Sequence, residues 1–116
     1  MAVEYIPDRG DIVLLNFHPQ AGHEQAGTRP ALVLSPREYN RKTGLAVLCP
    51  ITSHIKGYPF EVSLPEKLAV HGVVLADQLK CLDWRERKAA FKCRIPPAVL
   101  RDVLGKIAAL LMIDLG

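Results

Sequence analysis

From residue 11 to residue 95 the chain reads as short apolar runs, each cut off by a turn signal. Only after them does one long helical pattern begin. This order limits the fold more than any other feature. Short strands at close spacing must pair with their neighbours and curl, and a single terminal helix is left to cap them. The first run, residues 11–17 (DIVLLNF), follows the Arg9-Gly10 turn and is almost continuously apolar, as in a strand buried on both faces. Residues 31–35, 45–49, 60–63, 72–76, 78–82 and 89–95 supply the other expected strands. Residues 36–42 are polar and open on Pro36, which predicts a short helical turn ending at Thr43-Gly44. Pro96-Pro97 opens the clearest helix. Leu100, Val103, Leu104, Ile107, Ala108 and Leu111 share one of its faces, and Arg101, Asp102 and Lys106 take the other. The expected fold is mainly β: a single domain over residues 1–116, a small antiparallel barrel or curled sheet with a C-terminal helix.

A chain of 116 residues has room for one modest core. Its 49% hydrophobic and 23% charged residues suit a globular protein rather than a disordered one. No apolar run nears the roughly 20 residues of a membrane span. The first residues carry Glu4, Asp8 and Asp11 where a secretory signal needs a basic start and an apolar stretch, so a cytoplasmic location is expected, with no membrane partner. Cys49, Cys81 and Cys93 are odd in number and far apart, which suits three reduced, mostly buried thiols rather than a zinc site or a disulfide framework. His18, His23, His54 and His71 lack metal-ligand spacing, so neither metal nor cofactor is expected. A formal charge of +3 permits a nucleic acid or an acidic partner without demanding either.

Two loops carry the chemistry. Residues 22–30 (GHEQAGTRP) place Glu24 and Arg29 just before an apolar run, and residues 50–60 (PITSHIKGYPF) place Thr52, Ser53 and Lys56 just after another. Loops of this kind can converge on one groove for a phosphate-bearing substrate. Arg29 either clasps two phosphate oxygens or pairs with a carboxylate and pins its loop. Thr52 is either a hydroxyl donor to a phosphoryl oxygen or a satisfied turn residue, with Ser53 as the alternative hydroxyl. Glu24 is the natural general base if Arg29 is close, although that neighbour would lower its basicity. His23 has the better intrinsic pKa for moving a proton, and it equally suits tuning the site or holding a base. Lys56 can hold a flanking phosphate, and Gln78 a base edge or a backbone group. Arg85, Arg87, Lys88, Lys92 and Arg94 form a basic stretch. The pairs Arg85/Arg87 and Lys92/Arg94 would each share one face of a strand, as a phosphate-tracking stripe or as a solvated edge. Trp84 either stacks an unpaired base or belongs to the core or to an interface.

Taken in order, YIPDRGD at 5–11, EQAGTRP at 24–30, LSP at 34–36, Tyr39-Asn40, KTG at 42–44, KGYPFEV at 56–62, GVVLADQ at 72–78 and Trp84 resemble the MazF/PemK family of mRNA interferase toxins. The match spans nearly the whole chain. The resemblance implies an SH3-like barrel, a fold shared with gyrase-poisoning toxins, and a homodimer. It implies a sequence-specific, ribosome-independent endoribonuclease for single-stranded RNA, chiefly mRNA, acting as the toxin of a two-component module. Carried onto this chain, Arg29 would stabilise the phosphorane, Thr52 would assist as the catalytic hydroxyl, and Glu24 or His23 would relay protons. Lys56, Gln78, Arg85 and Arg87 would contact the substrate. The implied partners are the RNA and a small acidic antitoxin whose disordered tail covers the groove, with DNA reached only through the antitoxin complex. A gyrase poison of the same fold and a catalytically dead binding barrel are the rivals. The intact Glu24/Arg29 and Thr52/Lys56 loops weigh against the first.

Overall fold

The computed structural model describes residues 4–17 and 28–112. Within them the apolar runs form β1 (Asp11–Asn16), β2 (Thr28–Val33), α1 (Arg37–Thr43), β3 (Leu45–Thr52), β4 (Glu61–Ser63), β5 (Val73–Leu75), β6 (Lys80–Asp83), β7 (Ala90–Arg94) and α2 (Pro97–Leu111). Every strand pairing is antiparallel. The sheet runs β4-β5-β3-β2-β1-β7, with β6 also paired to β3. Its end strands, β4 and β7, do not pair with each other, so the sheet is barrel-like without being strictly closed.

Alternation along the strands explains why the early runs are apolar throughout. Ile12, Leu32, Cys49 and Ile51 enter one cluster, onto which α2 lays Val103 and Ile107. Val13, Leu15, Ala31, Val33 and Leu48 enter a second cluster on the other face, covered by Trp84 and flanked by Tyr5, Ile6 and Phe17. Both faces of β1 and β2 are therefore buried, and removing this apolar surface from water is what holds the sheet together. Trp84 is only 2% exposed and its indole Nε1 donates to the Asn40 carbonyl at 2.9 Å. Of its possible roles, the core role is the one the structure bears out. Asn40 is itself fully buried. Its Nδ2 donates to the carbonyls of Pro7 (2.8 Å) and Ser35 (3.0 Å), and its Oδ1 accepts from Ser35 Oγ at 2.6 Å. This network repays the cost of burying an amide. Gly44 closes α1 in the left-handed conformation, φ 73°, with its N–H on the Asn40 carbonyl, as the Thr43-Gly44 signal predicts.

Prolines account for the largest departures from the expected boundaries. The third expected strand stops at residue 49, before a loop that opens on Pro50, yet β3 runs on through Thr52 by changing partners. Its earlier residues pair with β6, Leu48 to Pro50 pair with β2, and Ile51 and Thr52 pair with β5. Likewise β2 begins at Thr28 rather than residue 31, because Thr28, Arg29 and Pro30 pair with β1 alone. The β2–β3 ladder ends at Ala31 opposite Pro50. Neither Pro30 nor Pro50 can donate a bond to bridge the strands at this point, so they part.

Two smaller expectations need correction. Arg85 and Arg87 lie in the turn between β6 and β7, and a bulge opposite Ile12 and Val13 interrupts the alternation of β7 at Lys92, so neither pair shares a strand face: Lys92 lines the cleft described below, while Arg94 pairs with Asp11. Of the three thiols only Cys49 is buried; Cys93 is half-buried and Cys81 exposed, because β6 sits at the sheet's margin. Among the described residues no helix is long and apolar enough to cross a membrane.

Candidate active site

Where β2 and β3 part, a cleft of about 730 Å³ opens. Thr28, Arg29 and Pro30 of β2 line it, as do Pro50, Ile51, Thr52 and Ser53 from the end of β3. The strands hold the backbone on both sides, while the missing ladder leaves room for a ligand between them.

Arg29 is exposed, and among the described residues its guanidinium has no hydrogen-bond or ion-pair partner. Most other arginines are committed. Arg94 donates to Asp11 Oδ1 at 2.6 Å, Arg85 bonds Glu4 at 3.1 Å above the Trp84 ring, and Arg9 donates to the Leu34 carbonyl at 2.6 Å. Arg87 Nη1 donates to the carbonyls of Asn16 (3.2 Å) and Phe17 (2.6 Å). The uncommitted donors of Arg29 face the cleft, which favours the anion-clasping alternative over the loop-pinning one.

Thr52 is a satisfied turn residue whose hydroxyl still has a proton to give. Its Oγ1 accepts the His54 backbone N–H at 3.0 Å, a local turn that orients the hydroxyl, and its proton remains available for donation. Backbone pairing with Val73 of β5 holds Thr52 from the side opposite β2. Ser53 lines the same cleft, so the structure brings both candidate hydroxyls there, together with Gln78.

Lys56 lines an adjoining hollow of about 180 Å³, shared with His54, Tyr58 and Glu61. Thr52, Leu75 and Gln78 border both spaces and form the wall between them. The loop that carries Lys56 is tied down at two points. Both oxygens of Glu61 accept backbone N–H groups, from Lys56 at 3.0 Å and from Gly57 at 2.8 Å. The Tyr58 hydroxyl donates to Asp77 at 3.0 Å, and loss of solvent, then this carboxylate, raise its pKa above the ordinary tyrosine value.

Arg85 and Arg87 do not line the cleft, and their guanidinium groups serve the contacts described above. Lys80 of β6, Lys92 of β7 and His71 do line it. Sequence reasoning did not single out Lys80, grouped Lys92 with a basic run, and weighed His71 only as a metal ligand. The signal that finds Lys80 and Lys92 is strand register, and for His71 it is the path of the β4–β5 connection; sequence patterning supplies neither. His23 and Glu24 lie outside the described residues. The flanking residues Phe17 and Thr28 both line the cleft. Among the described residues no three His, Cys, Asp or Glu side chains group closely enough to hold a metal ion.

Comparison with known proteins supplies the family. Residues 8–111 match the family described as PemK-like, MazF-like toxin of type II toxin–antitoxin system. The endoribonuclease toxin MazF of Escherichia coli K12 is 47% identical over 111 residues, covering 96% of this chain and 99% of that protein. The endoribonuclease PemK of Escherichia coli is 38% identical over 108 residues, 90% of this chain and 81% of that one. The crystal structure of MazF from Deinococcus radiodurans superposes with a TM-score of 0.86 at 58% identity, covering 95% of this chain and all of that one. A MazE–MazF complex from the same organism gives a TM-score of 0.87 at 51% identity, over 96% of this chain and 100% of that one. With the curled antiparallel sheet, the C-terminal helix and the family match in agreement, this chain belongs to the PemK-like, MazF-like toxins of type II toxin–antitoxin systems.

Proposed function

We propose that this endoribonuclease toxin cuts single-stranded RNA, chiefly mRNA, at specific sequences by a metal-independent transesterification in the cleft between β2 and β3. The observation that carries this reading is the pairing of an uncommitted Arg29 guanidinium with the Thr52 hydroxyl in one cleft. Cleavage without a metal needs a base for the ribose 2′-hydroxyl, charge stabilisation for the phosphorane and a proton for the leaving 5′-oxygen. Arg29 stabilises the phosphorane with its paired donors, and Thr52 adds a hydroxyl bond to a phosphoryl oxygen. Glu24 or His23 moves the protons. Lys56, held beside the cleft by Glu61, positions the flanking strand, while Ser53 and Gln78 contact it from the shared wall. Lys80 and Lys92 add positive charge along the phosphate path.

The partners follow from the same cleft. MazE–MazF complexes are known for relatives, and a cleft rich in uncommitted cations suits an acidic, flexible antitoxin segment that competes with RNA. The functional unit is a homodimer in this reading, and DNA is reached only through the antitoxin complex.

Incubation of the purified chain with a single-stranded RNA oligonucleotide in EDTA tests the proposal. Cleavage is expected to survive the chelator, to stop when the ribose at the cut site is 2′-deoxy, and to leave 2′,3′-cyclic phosphate and 5′-hydroxyl ends. Activity abolished by EDTA and restored by magnesium overturns the metal-independent mechanism. An RNA left intact under all conditions points instead to a gyrase-directed or purely binding role.

A further inference from the structure

The cleft wall that carries Thr52 is held against the backbone of Gly72, and that contact leaves no room for a side chain. Gly72 has φ +121°, a conformation that residues with a Cβ rarely adopt. A Cβ built at Gly72 would lie 2.1 Å from the Thr52 carbonyl oxygen, 2.8 Å from the Thr52 carbonyl carbon and 3.1 Å from Ser53 Cα. All three are backbone atoms, so no flexible side chain can swing aside.

The other left-handed glycines differ. At Gly57 an added Cβ meets nothing within 4 Å. At Gly44 it approaches only the Arg85 side chain at 3.4 Å, and at Gly10 its nearest neighbour is the Arg94 side chain at 3.0 Å. Those positions need glycine for the backbone angle. Gly72 also needs it for space against the candidate catalytic edge.

Which partner would yield to a side chain follows from the pairing. Gly72 is tied on one side, because its carbonyl accepts the Leu64 N–H at 3.0 Å and the adjacent Val73 pairs with Ser63 of β4. The end of β3 is the weaker party. Past Pro50 it has lost β2 and keeps only β5, through Ile51–Val74 and Thr52–Val73. A methyl at residue 72 therefore pushes Thr52 and Ser53 toward the open cleft.

We infer that Gly72 is a positioning residue for RNA cleavage: its bare Cα sets where Thr52 and Ser53 stand opposite Arg29. The inference rests on the reading of Thr52 as the assisting hydroxyl. A displacement of this size misaligns a group that acts only in the transition state, so it lowers kcat more than it raises KM.

The test compares Gly72→Ala, Thr52→Ala, the double variant and Gly44→Ala in the full-length protein. Gly72→Ala is expected to stay folded and to lose about 100-fold in kcat, with KM within about threefold of wild type. Its amide NMR shifts should change most at residues 52–54. Adding Gly72→Ala to Thr52→Ala should cost less than about a further twofold if the two act through one group. Gly44→Ala, strained but remote from the cleft, should lower the melting temperature and leave kcat unchanged. A Thr52→Ala variant with wild-type kcat removes the catalytic reading of Thr52, while the NMR shifts still decide whether Gly72 sets its position. Wild-type kcat in Gly72→Ala, unmoved shifts at 52–54, or two losses that multiply in the double variant overturn the inference. If Gly72→Ala does not fold, D-alanine can be introduced at residue 72 by ligation at Cys49 and Cys81. Its methyl leaves the opposite side of Cα, so a folded, fully active protein is expected. A folded but inactive D-alanine protein, or failure of both variants to fold, overturns the inference.

Discussion

Arg29 and Arg94 offer the sharpest test, because among the described residues the first has no partner while the second is bound to a buried carboxylate. The Arg29 side chain is exposed and has no partner among the described residues, so truncation to alanine removes no bond on which the fold depends. Its effect on stability should stay within about 0.5 kcal/mol, as for other surface changes. With about 4 °C per kcal/mol for a domain of this size, the melting temperature should move by about 2 °C or less. Its effect on catalysis should be large. Losing one preorganised contact to a developing oxyanion costs about 100- to 1,000-fold in kcat. Lysine at this position keeps the charge but loses the two-pronged fork, so it should recover only part of the rate.

Arg94 reverses the pattern. Its Nη1 is 2.6 Å from Asp11 Oδ1, and Asp11 is 2% exposed. Alanine there withdraws a charge-assisted bond from a buried carboxylate, at a cost of about 1.5–3 kcal/mol, or about 6–12 °C of melting temperature. Asp11 keeps the Tyr5 hydroxyl at 2.6 Å and the Asp8 N–H at 3.0 Å, so the chain should still fold, and kcat should follow only the folded fraction. Thermal melting and single-turnover cleavage on the same preparations decide the matter. The reasoning fails if Arg29→Ala melts as early as Arg94→Ala, if it cuts RNA at a near-normal rate, or if folded Arg94→Ala is inactive.

Three more outcomes follow from particular contacts. Burial, and after it the Asp77 carboxylate, push the Cys49 thiol up to about 12, whereas Cys81 is exposed. The reactive thiolate of Cys49 is therefore scarce below that pH, and iodoacetamide at neutral pH should mark Cys81 and spare Cys49 in the folded protein; equal labelling by mass spectrometry refutes this. Trp84→Phe removes the indole bond to the Asn40 carbonyl and should cost about 1 kcal/mol in denaturant melts with kcat and KM unchanged. A raised KM at unchanged stability would instead mean that Trp84 contacts RNA. Glu61→Ala frees the N–H groups of Lys56 and Gly57, so KM should rise about three- to tenfold with kcat little changed, and an unaltered KM argues that Lys56 does not hold the substrate.

The sequence made the elements legible but not their partners. Short apolar runs bounded by turn signals locate the strands to within a few residues, and Pro96-Pro97 with its periodic apolar face locates α2 almost to the residue. The expected third strand stops at residue 49, with a loop from Pro50. In β3 it marks a change of partner, from β2 to β5, that keeps the strand going. Arg29, Thr52, Ser53 and Gln78 were recognisable from their loops, and the fold brings them to one cleft. Lys80, Lys92 and His71 were not, because their approach depends on how β6, β7 and the β4–β5 connection are arranged around β3.

Charge shows most clearly why local pattern falls short. A net charge of +3 and a basic run from Arg85 to Arg94 suit a phosphate-tracking stripe and a solvated edge alike. The fold divides that run. Arg85 is bound to Glu4 and stacked over Trp84, Arg87 holds the carbonyls of Asn16 and Phe17, and Arg94 neutralises Asp11, while Lys92 turns to the cleft. The positive field of the cleft comes from Arg29, Lys80 and Lys92, with Lys56 in the adjoining hollow. These four come from β2, β6, β7 and the loop after β3, and no window of consecutive residues holds them together. A cation already bonded to a carboxylate or carbonyl presents little field or donor capacity to a phosphate. The capacity of this cleft for a phosphate chain therefore depends on which cations the fold leaves uncommitted, and the basic run contributes one of them.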